Sequence, residues 1–235
     1  MTRREYGQSC SVAGALDRIG ERWSLLIVRE LLLGPLRFSD LLRSVGGPPT
    51  DVLTKRLRDL EANGIVQRTE LGPPASGVVY ELTDLGRELD RILLELGRWG
   101  LHFYEAGDAA ELEPSLLPNS LRVLLQPPAE AEITVQLHSE NRSFRLDIAG
   151  GRVIATRGET SAPELTLSGP PRAILAAIAL GEQFAAGVEV EGDRAVLEAL
   201  REMVVLPERV RRDAEAAVEA SAEAAIDSAA NPRTA

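Results

Sequence analysis

Apolar residues Leu16 and Ile19, then Trp23, Leu26, Ile27, Leu31 and Leu32, recur at three- and four-residue spacing on either side of Gly20, which predicts two helices that each give one stripe to a core. Gly34 and Pro35 end the second of them, since glycine accepts a left-handed cap and proline cannot continue the ladder. Phe38, Leu41 and Leu42 give a short third helix an inward face and leave Arg37, Ser39 and Asp40 outside. After the turn made by Gly46, Gly47, Pro48 and Pro49, a fourth helix is expected, capped by Thr50 or a neighbour. Its Leu53, Leu57 and Leu60 pack inward and turn Thr50, Asp51, Thr54, Lys55 and Arg58 outward. Gly64 stops it. Two strands with period-two alternation follow over 65–70 and 78–82, joined by a tip at 72–77 with two prolines. From Asp84 to Glu105 a further helix carries Leu85, Leu89, Ile92, Leu93, Leu96, Trp99 and Phe103 in a stripe too broad for so small a domain to cover alone.

The pattern changes at 106–120, where small, acidic and proline residues predict a linker. Beyond it, Ile133, Val135 and Leu137 alternate with polar neighbours, as do Phe144, Leu146 and Ile148, so a hairpin is expected, followed by strands over 152–156 and 164–168. Pro170 and Pro171 open a helix that Gly181 stops, a short extended piece covers 188–191, and a last helix runs over 193–205. Antiparallel strands followed by helices read as an α+β unit. The remainder, 207–235, is rich in alanine and glutamate and predicts a solvated helix over 208–226 that frays into a tail. The expected organisation is therefore a first domain over 1–105, a linker over 106–120, a second domain over 121–206 and a C-terminal helix and tail.

Composition narrows the chemistry. The chain of 235 residues has room for two modest cores, and it holds no apolar run long enough for a bilayer and no signal-like N-terminus, which predicts a cytoplasmic protein without membrane partners. One cysteine and two isolated histidines exclude a disulfide framework and make a metal site or cofactor unexpected. His138 falls on an expected exposed strand position away from any second histidine or cysteine, and no phosphate-cradling glycine motif occurs, so no catalysis is expected. The net charge of −10 sits almost wholly beyond residue 105. Local charge matters more for phosphate contact, and between Thr50 and Arg58 three cations face one acid. Three helices and a hairpin in this order are the layout of a winged helix that binds DNA, with the fourth predicted helix as the recognition helix. Thr54 and Lys55 are the base-edge candidates, Arg56 and Arg58 the phosphate candidates, Arg37, Ser39, Thr50 and Asp51 further candidates on the DNA-binding face, and Arg68 on the hairpin either reaches the DNA backbone or minor groove or is a solvated strand cation.

The stretches CSVAGALD (10–17), IGERWSLLIVRELLLGPLRFSDLLRSV, VLTKRLRDLEANGIVQRTE and PPASGVVYELTDLGREL together resemble the HxlR family of bacterial winged-helix transcriptional regulators. The resemblance implies a homodimer that binds inverted-repeat operators in double-stranded DNA, with dimer contacts from the N-terminal region and from Leu89, Ile92, Leu96, Trp99 and Phe103. It also implies that Cys10, where many members carry a reactive cysteine, is either a redox sensor or a plain structural residue; no second cysteine is present to pair with it. The later stretch ELTLSGPPRAILAAIALGEQFAAGVEVEGDRAVLEAL resembles the sterol carrier protein 2-like lipid-binding domain. That resemblance implies an apolar tunnel for a hydrophobic small-molecule effector, with Ile174, Leu175, Ile178, Phe184, Val188, Leu197, Leu200 and Met203 as wall residues; the same side chains would equally serve a closed core. A lipid carrier that uses the winged helix chiefly to dimerise is the competing expectation.

Overall fold

The computed structural model describes residues 5–103, 112–184 and 186–218. The chain divides into two compact units, Met1–Leu94 and Glu95–Ala235.

In the first unit the elements are α1 (Ser11–Ile19), α2 (Ser24–Leu32), α3 (Phe38–Ser44), α4 (Thr50–Ala62), β1 (Val66–Leu71), β2 (Gly77–Leu82) and α5 (Asp84–Arg87). After a single turn residue, α6 (Leu89–Gly100) carries on past the boundary at Leu94. Ile27, Leu41, Leu53, Leu57 and Leu60 are buried together with Ile19, Val28, Leu31, Val45, Ile65, Val66 and Leu82. Each such aliphatic side chain contributes about 1.5–3 kcal/mol by leaving water, which is what holds these short helices in place. Two stripe residues do not join the core: Leu16 and Leu26 are exposed.

The cap expected at Thr50 is also absent. Pro49 occupies the N-cap of α4 without a side-chain bond, and the Thr54 hydroxyl donates to the Thr50 carbonyl at 2.7 Å. Trp23 precedes α2 with φ +80°, an unusual conformation for a bulky residue. Its ring packs on the core and the Arg22 guanidinium carbon lies 5.1 Å from the ring centroid, so contacts on two sides hold the conformation.

Strands β1 and β2 pair antiparallel from Val66 opposite Leu82 to Leu71 opposite Gly77. Leu36 adds a third rung by exchanging both backbone hydrogen bonds with Tyr80, at 3.0 and 2.8 Å. Thr83 joins hairpin to helix: its hydroxyl donates to the Gly64 carbonyl at 2.6 Å and accepts from the Gly86 N–H at 3.0 Å.

The second unit contains α7 (Leu116–Leu124), β3 (Ile133–Ser139), β4 (Arg142–Ala149), β5 (Arg152–Arg157), β6 (Leu165–Ser168), α8 (Pro171–Ala179), β7 (Glu189–Gly192) and α9 (Arg194–Glu202), and residues 208–218 are helical. The class is α+β as expected. The sheet order is β5-β4-β3-β6-β7, with β6 parallel to β3 and all other pairs antiparallel, so the sheet is mixed rather than antiparallel. The physical reason is a strap at 158–164 that carries the chain from one edge across β4 and β3. Gln136 pins this strap: its amide nitrogen donates to the Gly158 carbonyl at 3.3 Å and its carbonyl accepts from the Thr160 N–H at 2.8 Å. Helix α7 begins inside the stretch expected to be a linker. Leu117 and Leu121 are fully buried, and Pro118 is tolerated because it falls in the first turn, where the N–H has no helical partner. Residues 106–111 of the expected linker and 219–235 of the expected tail lie outside the described residues. Among the described residues no helix is long and apolar enough to cross a membrane.

Candidate nucleic-acid interface

Burial of Leu53, Leu57 and Leu60 fixes the rotation of α4, and Thr50, Asp51, Lys55 and Arg58 are thereby exposed, with Thr54 half-buried beside them. These five residues and Asp59 line an open depression along the helix. Lys55 and Arg58 supply the positive charge there, and Asp51 and Asp59 line it beside them. A concave, cation-bearing helix face of this size suits a phosphodiester backbone flanking base edges. Asp59 was not singled out from the sequence, and only its i,i+4 relation to Lys55 would have pointed to it.

Arg56 departs from expectation. Its side chain is only 8% exposed, and Nη1 lies 3.4 Å from Glu21 Oε2 and 3.2 Å from Asp59 Oδ2. The reason is helical phase: Arg56 sits beside Leu53, Leu57 and Leu60 on the inward half of α4, so its cation is consumed inside the fold rather than offered to phosphate. Ser39 is exposed on α3. Arg37, at the N-cap of α3, is exposed but directs its guanidinium at the hairpin, donating from Nη2 to the Ser76 carbonyl at 2.6 Å. Arg68 is exposed on β1, with its guanidinium carbon 5.9 Å from the Tyr80 ring centroid. On the same hairpin Thr69 and Gln67 both donate to Glu81 and hold its carboxyl below the ordinary glutamate range, Thr69 contributing most.

Cys10 is exposed and stands at the N-cap of α1. The backbone N–H of Ala13, and after it that of Val12, hold its thiol below the usual cysteine value. Along α6, Ile92, Leu96 and Trp99 are exposed, as is Phe103 just beyond it, while Leu89 is half-buried against the core of the first unit and so is spent partly within the subunit. Trp99 and Phe103 meet edge to face with centroids 4.8 Å apart. Tyr6 and Val12 are exposed near and on α1.

In the second unit Ile174, Ile178, Leu197, Leu200 and Met203 are buried, whereas Leu175, Phe184 and Val188 are half-buried. His138, expected to stand alone, faces Ser143 across the β3–β4 pair with Nδ1 3.0 Å from its Oγ, and Ser143 lies 3.4 Å from Glu159 Oε1. Strand pairing brought together what sequence spacing kept apart. The serine lies between base and acid, which is not the order in which an acid orients a base against a nucleophile. Among the described residues no group of three or more metal-ligating side chains occurs.

Residues 18–108 match the model of the HxlR-like helix-turn-helix family. The uncharacterized HTH-type transcriptional regulator sll1512 of Synechocystis is 36% identical over 101 residues, which span 43% of this chain and 75% of that protein. The HTH-type transcriptional regulator YodB of Bacillus subtilis is 35% identical over 94 residues, 40% of this chain and 84% of its own. Among solved structures, the redox regulator HypR in its oxidized form is 36% identical and covers 39% of this chain and 94% of that one, with a TM-score of 0.36. Helix α4, the hairpin and these sequence matches fall in one segment, and through it the chain belongs to the family of HxlR-like helix-turn-helix transcriptional regulators.

Proposed function

We propose that this protein is a homodimeric, sequence-specific DNA-binding regulator whose second unit binds a hydrophobic small molecule and so adjusts operator affinity. The observation that carries the reading is the outward face of α4, where Thr50, Thr54, Lys55 and Arg58 line one open depression. Thr54 and Lys55 meet base edges, Arg58 meets phosphate, and Arg68 on the hairpin follows the backbone beside them. Two copies related by a two-fold axis present two such helices to an inverted repeat, and the exposed Ile92, Leu96, Trp99 and Phe103 form the seam between them. Low local charge predicts weak nonspecific binding, so selectivity rests on base contacts.

For the second unit the reading is a sterol carrier protein 2-like fold. Two observations support a ligand there. Ile174, Ile178, Leu197 and Leu200 are apolar and buried, as the residues around a hydrophobic ligand would be. Ser139, which follows Val135 and Leu137 on one face of β3, is fully buried with a hydroxyl that has no hydrogen-bond partner. A hydrophobic ligand with one polar group would satisfy it. Regulation requires that the ligand prefer one arrangement of the two recognition helices, and a coupling of about 1–3 kcal/mol changes affinity about 5- to 150-fold.

The deciding experiment selects a duplex from a random-sequence pool with the full-length protein and titrates it against Lys55→Ala and Arg58→Ala. Both variants should weaken binding, Lys55→Ala with relaxed sequence preference and Arg58→Ala with a salt slope flatter by about one. Binding that is unchanged in both would overturn the reading of α4, and would favour a carrier whose winged helix only dimerises. A second reading, a thiol-responsive regulator, is favoured by Cys10, whose exposed sulfur is held below its usual pKa at the start of α1. Loss of an oxidant response in Cys10→Ser would support it.

A further inference from the structure

Arg37 belongs to the turn between α2 and α3, yet its strongest contact lies on the hairpin, 39 residues later in the chain. The Nη2 group donates to the Ser76 carbonyl at 2.6 Å, where the hairpin tip returns into β2. The next residue, Gly77, has φ +121°, and a Cβ built there would lie 2.5 Å from Arg37 Nη1. A glycine at 77 therefore does two things: it permits the backbone turn and leaves room for the guanidinium. Beside Arg37, Leu36 exchanges both backbone hydrogen bonds with Tyr80. The 36–37 segment thus acts as a short third strand, and Arg37 extends its grip from Tyr80 to the far end of β2.

We propose that Arg37 is a positioning residue for DNA binding, one that holds the hairpin tip in a fixed orientation relative to α4 rather than touching DNA itself. The inference rests on the reading of α4 and the hairpin as the DNA-binding face. A two-stranded hairpin alone is marginally stable in water, so the orientation of its tip depends on what braces it. The hydrogen bond from a guanidinium to Ser76 is the charge-assisted contact reaching the tip segment from outside the hairpin. A cation committed to this carbonyl is held back from phosphate, and its worth to binding comes from the order it gives Arg68 and the tip.

Two variants of the full-length protein separate bracing from phosphate contact. Arg37→Ala removes both the donor and the charge, whereas Arg37→Gln removes the charge and keeps an amide donor for Ser76. Hydrogen exchange is followed over residues 71–78 of the free protein, and affinity and salt slope are measured on a duplex selected from a random pool by the wild type. Bracing predicts faster exchange over 71–78 in Arg37→Ala, with binding weakened about tenfold, and near wild-type exchange and salt slope in Arg37→Gln. Unchanged exchange in Arg37→Ala overturns the proposal. So do equal losses of affinity in the two variants with a salt slope lower by about one, because that is the signature of a phosphate contact. A wild type that selects no duplex would instead sink the DNA-binding reading, and the exchange comparison would still decide whether Arg37 braces the hairpin.

Discussion

Arg56 on the recognition helix is tied to Glu21 in the turn that precedes α2, its Nη1 3.4 Å from the Glu21 carboxylate and 3.2 Å from that of Asp59 on its own helix. The pair ties the middle of α4 to the α1–α2 corner. Because Arg56 is buried while Glu21 and Asp59 are largely exposed, removing the arginine strips packing from α4 and leaves two carboxylates that water can still solvate.

Arg56→Ala should therefore lower stability by about 1–2 kcal/mol, read as a smaller denaturation midpoint in urea at unchanged slope. Glu21→Gln should cost less, about 0.5 kcal/mol or below, since its side chain is mostly in water. Neither variant should alter the salt slope of DNA binding. A salt slope reduced by about one in Arg56→Ala would return this residue to the phosphate contacts.

The close approach of α5 to the strand entry makes a second prediction. A Cβ at Gly86 would lie 2.1 Å from the Ile65 carbonyl oxygen, and that oxygen belongs to rigid backbone that also accepts from the Thr83 N–H. Gly86 carries no left-handed φ, so the cost of substitution is steric alone. Gly86→Ala should destabilise the first unit by about 1–3 kcal/mol, visible as a lower thermal midpoint. Loss of the Thr83 cap in Thr83→Ala should cost about 1 kcal/mol by the same measurement.

What the sequence revealed and what it hid follow from the range of the interactions. Helix phase is local, so the inward leucines of α4 and the outward Lys55 and Arg58 are readable from spacing, as are the strands of the second unit and its helices α8 and α9. Arg56 lies three residues after Leu53 and four before Leu60, so its inward phase is in the spacing; what the sequence hides is the partner that makes burial of the cation tolerable, Glu21, 35 residues away. The partner of Arg37 is equally illegible in the sequence, its acceptor being a carbonyl of the hairpin tip. The parallel pairing of β3 with β6 depends on the strap held by Gln136, a single amide whose partners, Leu137, Phe144, Gly158 and Thr160, are all backbone groups. Helix α7 was hidden by its prolines, which read as linker until burial of Leu117 and Leu121 shows what the segment covers.

Cys10 gives a prediction with a defined sign. The Ala13 and Val12 N–H groups favour the thiolate in the folded chain, so the folded pKa is below the unfolded one. The stabilisation this brings is present above the unfolded pKa and is lost as pH falls through the folded pKa. Alkylation of the native protein by iodoacetamide should then show its rate inflection at lower pH than alkylation of the same chain in denaturant. Coincident inflections would mean that the start of α1 does nothing for the thiol and would remove the support for a thiol response.

The last prediction concerns the seam. Trp99 is 60% exposed and Phe103 62%, and the two rings lie edge to face on the same side of α6 and its extension as Ile92 and Leu96. Large aromatic groups left in water are the residues whose burial dominates interfaces, and truncating one at the centre of a packed seam costs about 2 kcal/mol or more. Trp99→Ser should accordingly raise the dimer dissociation constant at least about thirtyfold in sedimentation equilibrium. Because the side chain is mostly exposed within one subunit, its loss should leave the unfolding of the monomer nearly unchanged. DNA binding should weaken on an inverted repeat and stay the same on an isolated half-site, since each recognition helix is intact and only their joint engagement is lost. If Trp99→Ser instead remains dimeric, the seam lies elsewhere, and the exposed Tyr6, Val12 and Leu16 become the residues to replace next.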